Sequence, residues 1–248
     1  MKVSLLFLLI APSLLPADGL SDVRGTLSKL QSDQLLRARV EIKTRNTGGE
    51  SDKQKQQAEG TSAVIVENGP EGLRLSWSPE QIKQARKAAW EKTLHPDAVK
   101  SNLATLAALE ANEALNLLDF ANPLWRSLEG ATLQEDKRDT YQGKPARLLV
   151  VRLDLRLNEE ARKLMKSADA IVKLWLDEHG VPLGMDRDLQ IKLSKFFLTY
   201  RVHEHDTRDF AEAGGRLMVT RAVHESFGSG LGHSEESHSN TTVRLLSD

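Results

Sequence analysis

Residues 149–157 read Leu-Val-Val-Arg-Leu-Asp-Leu-Arg-Leu, and the alternation they carry decides how the rest of the chain is read. In an extended backbone Leu149, Val151, Leu153, Leu155 and Leu157 fall on one side, with Arg152, Asp154 and Arg156 on the other. That pattern predicts a half-buried strand, entered through the turn Tyr141-Gln142-Gly143-Lys144-Pro145. A strand apolar on one side and charged on the other belongs to an antiparallel sheet with one covered face.

Toward the N-terminus the same period recurs. Ala38, Val40, Ile42 and Thr44 alternate with Arg37, Arg39, Glu41 and Lys43, which predicts a second half-buried strand, preceded by a short amphipathic helix within Leu20 to Leu36. Asn46 to Gly60 is polar and is expected to be a solvated loop or a long hairpin tip. Ala63 to Val66 and Leu73, Leu75 and Trp77 flank Glu67-Asn68-Gly69-Pro70-Glu71-Gly72 and should pair as a hairpin. Ser78-Pro79 then opens a helix carrying Ile82, Ala85, Ala89 and Trp90. After His95-Pro96-Asp97 a second helix is expected, with an apolar face from Val99 to Leu118, ending before Asn122-Pro123.

Toward the C-terminus, Asn158 caps a short helix through Ala161, Leu164 and Met165. Ile171 to Leu176 and Leu189 to Leu193 flank the turn Asp177 to Pro182, and Phe196 to His203 and Arg216 to His224 continue the meander. Ser226 to Asn240 reads as a loop before a terminal strand at Thr241 to Leu246. Nine or ten strands around an inserted helical block predict an α+β fold, a curved antiparallel sheet or unclosed β half-barrel with an inserted helical layer. Helices do not alternate with strands regularly enough for a parallel sheet.

Residues 1–19 have the form of a secretory signal: Met1-Lys2, an apolar run from Val3 to Leu15, and small residues at Ala17 and Gly19. The run falls short of the ~20 apolar residues of a membrane span, so cleavage near Gly19 is expected to leave residues 20–248 as one domain, periplasmic or extracellular. The 248 residues contain 34 Lys+Arg against 35 Asp+Glu, which lacks the basic footprint of a nucleic-acid binder. No cysteine is present, which removes thiolate nucleophiles, disulfides, iron–sulfur clusters and Cys-ligated zinc.

The remaining candidates for chemistry are few. His203-Glu204-His205-Asp206 puts two imidazoles on one side of an extended segment with carboxylates beside them, and with His224 the histidines are weak candidates for a metal site; His233 and His238 lie in the expected loop. Their spacing matches no established ligand motif, and surface histidines are the plainer reading. Gly228-Ser229-Gly230-Leu231-Gly232 follows a strand but leads into Glu235-Glu236 and no amphipathic helix, so it reads as a hairpin tip, not a phosphate loop. Neither a catalytic residue nor a cofactor is indicated. A sheet only partly covered by helices would leave an apolar cleft, and Trp77, Trp90, Trp125 and Trp175 are the candidate ligand contacts, with burial in the core as the alternative.

The order of elements resembles the LolA/LolB-like half-barrel group of bacterial envelope proteins. The likeness rests on that order, on Tyr141-Gln142-Gly143-Lys144-Pro145-Ala146 before a strand, and on Lys173-Leu174-Trp175-Leu176-Asp177 followed by Gly180-Val181-Pro182-Leu183. It implies an unclosed antiparallel barrel, a helical lid, and non-enzymatic carriage of a lipid, a lipoprotein or another hydrophobic partner. It assigns no functional residue. An envelope protein-interaction or structural module without a cavity, and a histidine-dependent metal hydrolase, are the alternatives.

Overall fold

The computed structural model describes residues 19–49, 56–94, 109–155, 159–195, 198–230 and 232–246. Ten strands form one antiparallel sheet that does not close into a barrel. They are β1 (Leu36–Gly49), β2 (Gln56–Gly69), β3 (Gly72–Trp77), β4 (Thr132–Tyr141), β5 (Lys144–Arg152), β6 (Met165–Leu176), β7 (Pro182–Lys195), β8 (Leu198–Ala213), β9 (Arg216–Gly230) and β10 (His233–Leu245). Their order across the sheet is β3-β2-β1-β10-β9-β8-β7-β6-β5-β4. The described helices are α1 (Gly19–Leu27), α2 (Pro79–Leu94), α3 (Ala111–Leu118), α4 (Ala121–Ser127) and α5 (Glu159–Leu164).

The period-two pattern works as expected on β1, where Leu36, Ala38, Val40 and Ile42 are buried. Register carries the same face across the sheet: Val40 stands beside Val64 of β2 and Val243 of β10. Further along, Leu149, Val172 and Leu174 extend this inner face on β5 and β6. Leu20, Val23 and Leu27 of α1, Leu117 and Leu118 of α3, and Leu124 of α4 pack on it in one core. On α1 the spacing of three and four residues puts Leu20, Val23 and Leu27 on one helical side. Between α3 and α4 the Phe120 N–H donates to the Leu217 carbonyl at 2.8 Å, tying the elbow to β9.

Several expectations are corrected. The first helix ends at Leu27, where Lys29 and Leu30 close tight turns back to Thr26 and Leu27. The expected loop at 46–60 is largely strand, because β1 continues to Gly49 and β2 starts at Gln56; backbone ladder bonds hold polar residues as well as apolar ones once the register is set. For the same reason 226–240 is the end of β9 and most of β10, and Gly228 to Gly230 are strand residues. The strand expected at 149–157 runs instead from Lys144 to Arg152, with 153–155 outside it, although Leu153 N–H still donates to the Ala170 carbonyl at 2.9 Å; residues 156–158, with the expected Asn158 cap, lie outside the described residues. Asn122-Pro123 does not end the helical block but sits in the first turn of α4, where proline's missing donor is no loss. The segment from His95 to Ala108, with the expected start of the second helix, lies outside the described residues, as does the signal segment up to Asp18.

Both tyrosines of the chain lie across glycines of the sheet. A Cβ on Gly184 would fall 2.0 Å from Tyr141 Oη, and one on Gly230 would fall 2.6 Å from Tyr200 Cδ2. Glycine removes the side chain that would otherwise hold the ring off the backbone.

Candidate functional site

On β8 the residues 202–208 alternate between the two faces, and each face builds a different cluster. Glu204, Asp206 and Arg208 share the helix-covered inner side, whereas His203, His205 and Thr207 point to the outer side. Register extends the inner row: Thr44, Ser239, His224, Asp206, Arg187 and Val172 are successive cross-strand neighbours on β1, β10, β9, β8, β7 and β6. This row is where an apolar floor becomes polar.

Asp206 is the centre of the inner cluster, with its side chain 5% exposed. Arg187 donates from Nε at 2.8 Å and also from Nη2 to Asp206, and Nη2 reaches Glu204 at 3.3 Å. His224 Nδ1 lies 2.8 Å from the other carboxylate oxygen, which can only accept, so the ring nitrogen donates. Burial pushes the Asp206 carboxyl up, but the bonds from His224 and Arg187 outweigh it and hold the group below its ordinary value. The hydrogen bond to Asp206 raises His224 above the ordinary histidine value. Ser239 stands opposite His224 in register. That order resembles an acyl-transfer triad, but no hydrogen bond joins the two, so the imidazole is not placed to take a proton from the hydroxyl.

One row closer to the core, Arg208 stands between Ala222 and Met185, with its guanidinium 4.3 Å from the centroid of Phe120. Phe120 in turn stacks on Phe210 at 5.4 Å. The Arg208 Nε is buried and has no hydrogen-bond partner among the described residues, and burial lowers the group below the ordinary arginine value. On the other side of the polar row the inner face turns apolar again on β7 and β8. Ile191, Leu193 and Val202 are half-buried there, and Tyr200 is 46% exposed.

The outer face carries the histidines as a ladder of ion pairs. Glu59, Arg45, His238, Glu225, His205 and Asp188 are successive cross-strand neighbours. His203 Nε2 is 2.6 Å from Asp188, His238 Nδ1 is 3.1 Å from Glu225, and Arg45 is 2.9 Å from Glu59. Arg45, His203, His205, Glu225 and His238 border a recess of about 390 Å³ that Phe227 also lines. His203 and His205 thus share a face, as their spacing predicts, but His224 lies on the opposite face, so those three cannot bind one ion. Among the described residues no group of three or more His, Asp or Glu side chains is placed to hold a metal. His233 belongs to β10.

The four tryptophans do not converge. Trp77, on β3, and Trp125, on α4, pack against the core, while Trp90 on α2 is 64% exposed. Trp175 lies on the outer face, between the buried Leu174 and Leu176, donates to Asp139 at 3.0 Å and packs on Tyr141 with ring centroids 5.2 Å apart. A separate cleft of about 700 Å³ runs beside the exposed side of α1, where Arg147 bridges Asp22 at 2.9 Å and Asp136 at 2.6 Å. Neither cavity is lined by a tryptophan.

Sequence reasoning did not single out Arg187, Arg208 or Tyr200, and it took Asp206 only as a carboxylate beside His203 and His205. Parity was the available signal, since Glu204, Asp206 and Arg208 must share the side opposite His203 and His205. Their partners on β7 and β9 required the register. Among the described residues no helix is long and apolar enough to cross a membrane. No family model matches the sequence, and the comparison with curated proteins finds no match.

Proposed function

We propose that this chain is a non-enzymatic carrier or binding protein for a hydrophobic or lipidated ligand, exported to the periplasm or the cell exterior. The observation that carries the reading is the inner face of the unclosed sheet. Its floor is apolar and covered near α1, α3 and α4, crosses a polar row, and continues as the partly exposed Ile191, Leu193, Val202 and Tyr200. A water-facing apolar strip beside fixed polar groups is the usual make-up of a site for an amphiphilic ligand. The resemblance of element order to the LolA/LolB-like half-barrels supports the same reading.

The test is native mass spectrometry of the chain purified without a tag, with organic extraction of the same sample. Bound lipid near one per chain supports the carrier; a bare protein that also fails to take up added lipid refutes it. One observation favours the alternative of a protein-interaction module: Ile82, Trp90 and Leu94 are all exposed and recur at intervals of eight and four along one side of α2. That module would leave the extract empty and lose a partner when Trp90 is changed to Ala.

A further inference from the structure

A guanidinium in apolar surroundings needs an anion, and in this protein neither carboxylate that acts on it through space, Asp206 or the exposed Glu113 of α3, forms an ion pair with it. Asp206 accepts from both Arg187 and His224, and Glu204 accepts from Arg187. Arg208 makes no ion pair or hydrogen bond among the described residues. Met185 and Ala222 flank it on the sheet, and its guanidinium lies over the ring of Phe120. The ring contact engages one face of the planar cation and leaves its in-plane N–H edge as donor. That edge sits one row from the polar boundary that separates the covered floor from the exposed strip of Ile191, Leu193 and Val202.

We propose that Arg208 is the seat of an anionic head group, and that the hydrophobic ligand is therefore an anionic amphiphile with a carboxylate or phosphate at one end. The inference rests on the carrier reading and makes it specific about the ligand's charge. Carboxylate and phosphate are the groups whose paired oxygens match the guanidinium fork, and the bond gains strength where water is excluded. Arg187 and His224, one row away, are matched there by Asp206 and Glu204, which leaves Arg208 as the cation of this boundary without an ion pair among the described residues. A neutral or cationic head group would leave the Arg208 donors unmatched.

The test is calorimetric titration of the purified chain, below micelle concentrations, with dodecanoate, dodecyl phosphate, dodecanol, dodecyltrimethylammonium and inorganic phosphate alone. The expected result is one site per chain, with both anionic amphiphiles at least tenfold tighter than dodecanol. Arg208→Met should abolish that preference while leaving dodecanol binding unchanged, and Arg208→Lys should keep part of it. The lysine variant serves if the methionine variant unfolds early in a thermal melt. Equal affinity for dodecanol and dodecanoate, or a preference that survives in Arg208→Met, overturns the head-group assignment but leaves the carrier reading standing. Inorganic phosphate binding as tightly as dodecyl phosphate overturns it in favour of a free-anion site. If no dodecyl compound binds, both readings fall.

Discussion

Replacing Gly184 by Ala tests how the outer face of the sheet is assembled. The new methyl would sit 2.0 Å from Tyr141 Oη and 2.1 Å from Cζ, so the ring must leave. Tyr141 is the flexible partner, but it is held at both sides: its hydroxyl donates to Asp209, and its ring packs on Trp175. The hydrogen bond to a charged carboxylate contributes about 1.5–3 kcal/mol. The aromatic contact adds about 0.5–1.5 kcal/mol. Alanine returns about 0.5–1 kcal/mol of strand propensity over glycine. The expected net loss is about 1–4 kcal/mol, read as a lower urea midpoint at an unchanged m-value. A double-mutant cycle isolates the cause. In a Tyr141→Ala background the clash is gone, so Gly184→Ala should become neutral or mildly stabilising. If Gly184→Ala costs the same with and without Tyr141, or costs nothing in the parent, the account of this face is wrong.

Other outcomes follow from the same structure. Asp206→Asn removes the charge that Arg187 and His224 share, and because both are about a third exposed the loss should be about 1–3 kcal/mol by denaturant titration, below that of a fully buried pair. His224 is raised in the folded state, so its contribution is complete below the ordinary histidine value and fades as pH rises through the folded one; Asp206 is lowered, so its contribution fades only in acid. The melting temperature should therefore decline as pH rises beyond the ordinary histidine value, and His224→Gln should flatten that decline; an unchanged slope would remove His224 as its source. Leu118→Ala, at a fully buried site where α3 meets the sheet, should cost about 2–5 kcal/mol in the same titration. Trp175→Phe, on the outer face, should leave dodecanoate affinity unchanged, whereas altered affinity would place the ligand on the wrong side of the sheet here.

Much of this architecture is legible because alternation records which residues face the core. Val40 and Ile42, or Leu149 and Val151, declare their side without any knowledge of their neighbours. The β4 strand is not legible for the opposite reason. Glu135 to Asp139 are five consecutive charges at the sheet's open edge, where neither face is buried and charge protects against pairing with another chain. The polar ends of β1, β2, β9 and β10 fail likewise, since they are held by ladder bonds and not by burial. The candidate site is legible by halves. The shared face of His203 and His205 follows from their spacing, but Asp188 and Glu225 become their neighbours, and Arg187 that of Asp206, only through strand register. Trp175 could have been assigned to the outer face, because it shares parity with Lys173 and opposes Leu174 and Leu176.

The junction between β1 and β10 has a kinetic consequence. Every other pairing in the sheet joins strands that are neighbours in sequence, so β1 to β3 can zip locally, and so can β4 to β10. The register of Ala38 with Leu245 instead spans nearly the whole chain, and long-range contacts of that kind form late because ordering so long a loop is slow. Synthesis from the N-terminus therefore yields two preassembled ribbons with raw edges, which become one sheet only when the last strand arrives. A chain halted before β10 would be held in that divided state, exposing on β1 and β9 the backbone groups that recruit chaperones or seed aggregates.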